Sequence, residues 1–106
     1  MLNKAGMCNR VAIKMRTAEA SDRQLKAEVR KAMAKDRRPD SFERAYERPY
    51  GTILHIRVGE MNMWDFIPRD GHGQRALKRA SKMAEAEMER IAQAESEVLK
   101  ETRRRK

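Results

Sequence analysis

Four cations open the last helical stretch of this 106-residue chain. Arg75, Lys78, Arg79 and Lys82 follow the loop Arg69-Asp70-Gly71-His72-Gly73. The amino end of a helix already carries about half a positive charge from its aligned peptide dipoles, so Asp and Glu are favoured there by roughly 0.3–1 kcal/mol each. Here the order is reversed, with Glu85, Glu87, Glu89, Glu95 and Glu97 further along. Helix stability alone does not explain that placement. A glycine loop, a helix amino end and a set of cations together suit a phosphate. The candidate nucleic-acid-binding residues are therefore Arg69, His72, Arg75, Lys78, Arg79 and Lys82, joined by Arg103, Arg104 and Arg105 at the chain end. The competing reading is an ordinary solvated basic face.

Other chemistry is sparse. Zinc sites usually draw four ligands from Cys, His and carboxylates, whereas this chain has Cys8, His55 and His72 scattered along its length. No metal, no cofactor and no disulfide framework are expected. His55 alternates with the apolar positions of its segment and reads as a solvent-side strand residue, able to oppose Asp65 across a hairpin. A general base also needs a nucleophile or a substrate pocket, and no such constellation is visible, so the chain is expected not to be an enzyme. Gly71-His72-Gly73 lacks the Gly-Lys-Ser/Thr ending of a Walker loop. Trp64 reads as a core anchor, with a base-stacking platform as its functional alternative.

Charge points to the class of partner. Twenty-five Lys and Arg against 16 Asp and Glu leave a net +9, which favours polyanions. The charge is segregated: residues 1–39 carry +7, residues 84–99 carry −4 and residues 100–106 carry +4. The acidic stretch would repel a nucleic acid laid along the whole last helix, so contact is expected at the loop–helix junction and the ends. No apolar run approaches the roughly 18 residues of a membrane span, and residues 1–16 lack the apolar stretch of a secretory signal. A cytoplasmic protein without membrane contact is expected.

The elements that must position these residues are expected to form one small α+β domain over residues 1–106, with basic flexible tails expected at about 1–10 and 103–106. Val11, Ile13 and Met15 alternate and allow a short strand. Ser21 and Gln24 make a capping box, and Leu25, Val29, Ala32 and Met33 follow at helical spacing, predicting a first helix over about 22–36 that Pro39 stops. Asp40 or Ser41 could cap a short helical turn through Tyr46. A β-hairpin is expected over 52–58 and 61–67. Leu54, Ile56 and Val58 share one face, and sharing it with Trp64 and Phe66 favours a three-residue connection, although Gly59-Glu60 also suits a two-residue type II′ turn. A long C-terminal helix is expected over about 74–102. Its stripe of Leu77, Ala80, Ala84, Met88, Ile91, Ala94 and Val98 should cover the hairpin near Leu77 to Met88. Its second half could project, pack on the first helix or join another copy as a homodimer. The expected hydrophobic centre is Trp64, Phe66, Leu54 and Ile56 with Leu77 and Ala84.

The stretch Gly71-His72-Gly73-Gln74-Arg75-Ala76-Leu77-Lys78-Arg79-Ala80-Ser81-Lys82, preceded by a helix and paired strands, resembles part of a double-stranded RNA-binding domain. That family has a glycine-spaced loop and a Lys-Lys-x-Ala-Lys type helix start, and a sheet of three strands. The resemblance implies Lys78, Arg79 and Lys82 as phosphate ligands that read the shape of a duplex more than its sequence. Met63-Trp64-Asp65-Phe66-Ile67-Pro68-Arg69-Asp70-Gly71 is also similar to strand-end phrases in small tailed-phage proteins. That similarity implies an accessory protein directed at a host or viral macromolecule. The resulting expectation is a non-enzymatic nucleic-acid-binding accessory protein that contacts phosphate backbone through its basic loop–helix junction. The alternative is a phage-type protein-binding module.

Overall fold

A computed structural model describes residues 21–69 and 73–104. Five elements follow in the order α1 (Asp22–Ala34), β1 (Ser41–Arg48), β2 (Gly51–Val58), β3 (Met61–Pro68) and α2 (Gln74–Arg104). The strands form an antiparallel meander, β1-β2-β3, whose inner face is covered by both helices. This is an α+β fold with one more strand than the sequence predicts. The alternation at Val11–Met15 and the tail at 1–10 lie outside the described residues.

The start of α1 is built as its sequence implies. Ser21 has extended backbone angles, its hydroxyl accepts from Gln24 N at 3.2 Å, and Gln24 Oε1 accepts from Ser21 N at 3.0 Å. Two amides left bare by the helix start are thereby satisfied. The helix stops at Ala34, two residues short of the expected end. Its buried side chains, Leu25 and Val29, meet Ile91, Ala94 and Val98 of α2 in the core. Lys26 pairs with Glu97 and Arg30 with Glu101, each at 2.9 Å, so the two helices run in the same direction. The second half of α2 packs on α1, and the stripe that could have joined two copies is buried within the chain at Ala80, Ala84, Ile91, Ala94 and Val98.

The segment 41–48 is strand β1 and not a helical turn. Phe42, Arg44, Tyr46 and Arg48 point inward, while Ser41, Glu43, Ala45 and Glu47 point outward. The period of two is present in the sequence but disguised, because two of its inward positions are arginines. Their counter-charges Glu28, Glu87 and Glu95 lie on the helices, and Asp36 just beyond the end of α1.

The β2–β3 register overturns a second expectation. Val58 faces Met61, so the connection is the two residues Gly59-Glu60. Gly59 has φ +62 while Glu60 stays negative, the sign pattern of a type II′ turn. A two-residue connection aligns odd positions of β2 with even positions of β3, so Ile53 faces Phe66 and His55 faces Trp64. Leu54 and Ile56 are turned to the outer face, and Asp65 faces Leu54 rather than His55. One residue of slip inverts every side chain. The core is accordingly Leu25, Val29, Tyr46, Ile53, Ala84, Ile91, Ala94 and Val98, with Trp64 and Phe66 packed at its edge. Leu77 is exposed and takes no part. Tyr46, Ile53, Ile91 and Val29 are fully enclosed, and burial of each such apolar side chain stabilises by about 1.5–3 kcal/mol.

Candidate functional site

The helix start predicted to bind anions is exposed and unopposed. Leu77 N donates to Gly73 O at 2.9 Å, so the helical ladder begins from the glycine loop itself. No acidic residue occupies the first turn of α2. Arg75, Lys78, Arg79 and Lys82 are all exposed, and among the described residues none of them forms an ion pair. Arg75, Arg79 and Lys82 follow each other at four and three positions and share one side of the helix. Arg69 sits at the end of β3. Its backbone amide donates to Tyr50 O at 3.1 Å and its guanidinium reaches Pro49 O at 3.4 Å, which holds it by the β1–β2 turn. His72 and Arg105 lie outside the described residues. Arg103 and Arg104 belong to the last turn of α2, which runs through Arg104.

Two arginines of β1 are matched instead, in two clusters between sheet and helices. Arg48 donates to Glu87 at 2.6 Å and to Glu28 at 2.8 and 2.9 Å. Although burial works against its charge, the hydrogen bonds it donates to Glu28 and Glu87 hold its guanidinium protonated beyond the ordinary arginine range. Arg44 donates to Glu95 at 2.6 Å and also pairs with Asp36. Glu95 then accepts from Tyr46 Oη at 2.9 Å and from His55 Nδ1 at 3.0 Å. Burial first, and the Glu95 carboxylate second, push the Tyr46 hydroxyl well above the usual tyrosine range. The acidic stretch of α2 is therefore not a solvated stripe as a whole: Glu87 and Glu95 are both 6% exposed and point inward.

His55 is the residue most misjudged from sequence. It is 7% exposed, lies flat on Trp64 with centroids 4.0 Å apart, and meets the edge of Phe42 at 4.9 Å. Its Nε2 lies 3.1 Å from Asn62 Oδ1. These groups floor a cleft of about 620 Å3 between the sheet and α2, with Met33, Arg57, Ser96 and Leu99 among its walls. A His–Glu pair is the arrangement of an oriented base, but here Glu95 serves three donors and the second imidazole nitrogen is already met. Among the described residues, no buried side-chain nitrogen or oxygen lacks a partner, and no three His, Cys, Asp or Glu converge where a metal ion could be held. No helix among them is long and apolar enough to cross a membrane.

Comparison of the chain with protein-family models, with curated proteins and with solved structures returns no match. The site is therefore interpreted from its own geometry. Sequence reasoning missed Arg44, Arg48, Glu87 and Glu95 as paired groups. A signal existed: two arginines four apart on a strand span about 13 Å at 3.3 Å per residue, and two glutamates eight apart on a helix span about 12 Å at 1.5 Å per residue. The match is legible only once the two segments are known to lie side by side.

Proposed function

We propose that the chain is a cytoplasmic, non-enzymatic nucleic-acid-binding accessory protein that contacts the phosphate backbone through the start of α2. The observation that carries this reading is the contrast between its cations. Arg44 and Arg48 at the helix–sheet seam each have two carboxylates. Among the described residues, Arg75, Lys78, Arg79 and Lys82 have none, at the helix end where positive charge is least favoured. The saturated hydrogen bonding around His55 supports the non-enzymatic part of the reading. Duplex RNA is the polyanion that the sequence resemblance implies, and duplex DNA is its comparison.

The test is a salt titration of binding by the full chain to duplex RNA and duplex DNA. Affinity should fall with salt on a log–log slope of about −0.9 per neutralised phosphate on duplex DNA. Lys78→Gln with Arg79→Gln should weaken binding almost equally for every sequence tested, with the slope shallower by about one per lost contact. Arg103→Gln with Arg104→Gln is the control. Equal loss from both pairs would mean diffuse attraction without a defined site. Binding that ignores salt, or no binding at low salt, would sink the proposal.

A further inference from the structure

The outer face of the sheet has no counterpart to the helices on the inner face. Leu54, Ile56, Val58, Met61, Met63 and Ile67 point outward from β2 and β3. Val58 is 59% exposed, Met61 60% and Ile67 52%. Such a contiguous apolar face rimmed by polar groups is the usual mark of an interaction surface.

Its rim has a single sign. The register places Glu43, Glu47 and Asp65 on this face, and among the described residues no Lys or Arg occupies an outward position of the sheet. In a chain of net +9, this is a local acidic surface. Phosphate backbones and anionic lipid would be repelled by it. A second copy docked face to face would bring carboxylates against carboxylates. The face is also small: three strands of eight residues make roughly 27 Å by 14 Å, on the order of 400 Å2, against about 800 Å2 per partner in a standard interface. Its width takes one helix of about 10–12 Å diameter.

We infer that this face docks a single amphipathic, cationic helix of a partner protein. An apolar stripe would lie over Leu54, Ile56 and Met63. Lys or Arg side chains on its flanks would reach Glu43, Glu47 and Asp65. The inference stands independently of phosphate binding at α2, which uses different residues of a different charge.

The experiment uses the full chain and two synthetic helical peptides of about 18 residues, matching the ~27 Å face at 1.5 Å per residue. Both carry the same leucine stripe; one is flanked by lysines and the other by glutamates. Backbone NMR shifts locate binding. The lysine peptide should bind on the outer sheet face about tenfold or more tightly than its twin, and less so as salt screens the pairs. Glu43→Gln with Asp65→Gln, both exposed, should bring the two peptides towards parity, whereas Lys78→Gln with Arg79→Gln should leave lysine-peptide binding unchanged. Equal affinity for both peptides overturns the inference, as do shifts confined to the helices. Self-association of the free chain through this face would make a second copy the occupant instead. Nuclear Overhauser contacts from Val11–Met15 to Leu54 and Ile56 would make it the chain's own amino-terminal segment.

Discussion

Glu95 is the carboxylate on which the inner face converges, since it receives hydrogen bonds from Arg44, Tyr46 and His55. Removing one partner of a buried ion pair leaves the other charge uncompensated, at about 3–5 kcal/mol. Glu95→Gln should therefore cost roughly that much in urea unfolding, although it preserves shape. Tyr46→Phe removes a hydrogen bond to a charged group and should cost about 1.5–3 kcal/mol. Tyr46 also gives an alkaline prediction. Burial and the neighbouring carboxylate raise its folded value above the ordinary one, so the fold retains the proton that the unfolded chain releases. That contribution is complete below the unfolded value of about 10 and is lost as pH rises beyond it. Melting temperature should fall above about pH 10, and the fall should be smaller in Tyr46→Phe. A tyrosinate absorbance that appeared fully before unfolding would contradict the burial argument.

Two turns set the geometry of the sheet, and their glycines do different work. A Cβ on Gly51, which has φ +152, would press on Ile67 O and stand 2.6 Å from Phe66 Cε1. Backbone cannot yield there as a flexible side chain would. Gly51→Ala should cost about 2–4 kcal/mol, combining overpacking with a strained backbone angle. Gly59, at φ +62, has nothing within 4 Å of such an atom. Gly59→Ala should cost only the left-handed penalty of about 1–2 kcal/mol. Denaturant midpoints of the two variants measure the difference, and equal losses would show that close approach at Gly51 is not what demands glycine. The helices are fastened to this sheet by arginines on β1, so element order and salt-bridge partner are one design: Arg48 meets Glu87 and Arg44 meets Glu95 as α2 runs antiparallel to β1.

Across the whole molecule, one set of buried groups ties α1, the sheet and α2 together. Leu25 and Val29 of α1 pack with Tyr46 and Ile53 of the sheet and with Ile91 and Val98 of α2. None of these layers buries its apolar side without the others, so unfolding should be a single transition. Helical ellipticity and Trp64 fluorescence should melt at the same temperature; separate midpoints would mean that α1 detaches first. The basic start of α2 lies apart from this core. Neutralising Lys78 and Arg79 with Gln removes unfavourable dipole contacts and leaves helix propensity nearly constant, so stability should hold level or rise by a few tenths of a kcal/mol. A loss of fold in that variant would make these cations structural.

The sequence by itself determined the local parts. The capping box and apolar spacing specified α1, the β-branched run specified β2, and the Gly-x-Gly loop with helical periodicity specified α2 almost to its ends. The unusual cations were visible too, because charge near a helix end is a property of neighbouring positions. What only the tertiary structure decided was which side of each strand faces in. One residue of turn length moved Leu54 and Ile56 outward and His55 inward, and no local preference sets that parity strongly enough. His55 reads as a solvent position, and Arg44 and Arg48 carry no assigned role, because alone their burial would be prohibitively unfavourable. Glu87 and Glu95, 39 to 51 residues later in the chain, remove that cost. A buried charge is intelligible only with its partner in place, and the partner is supplied by the fold.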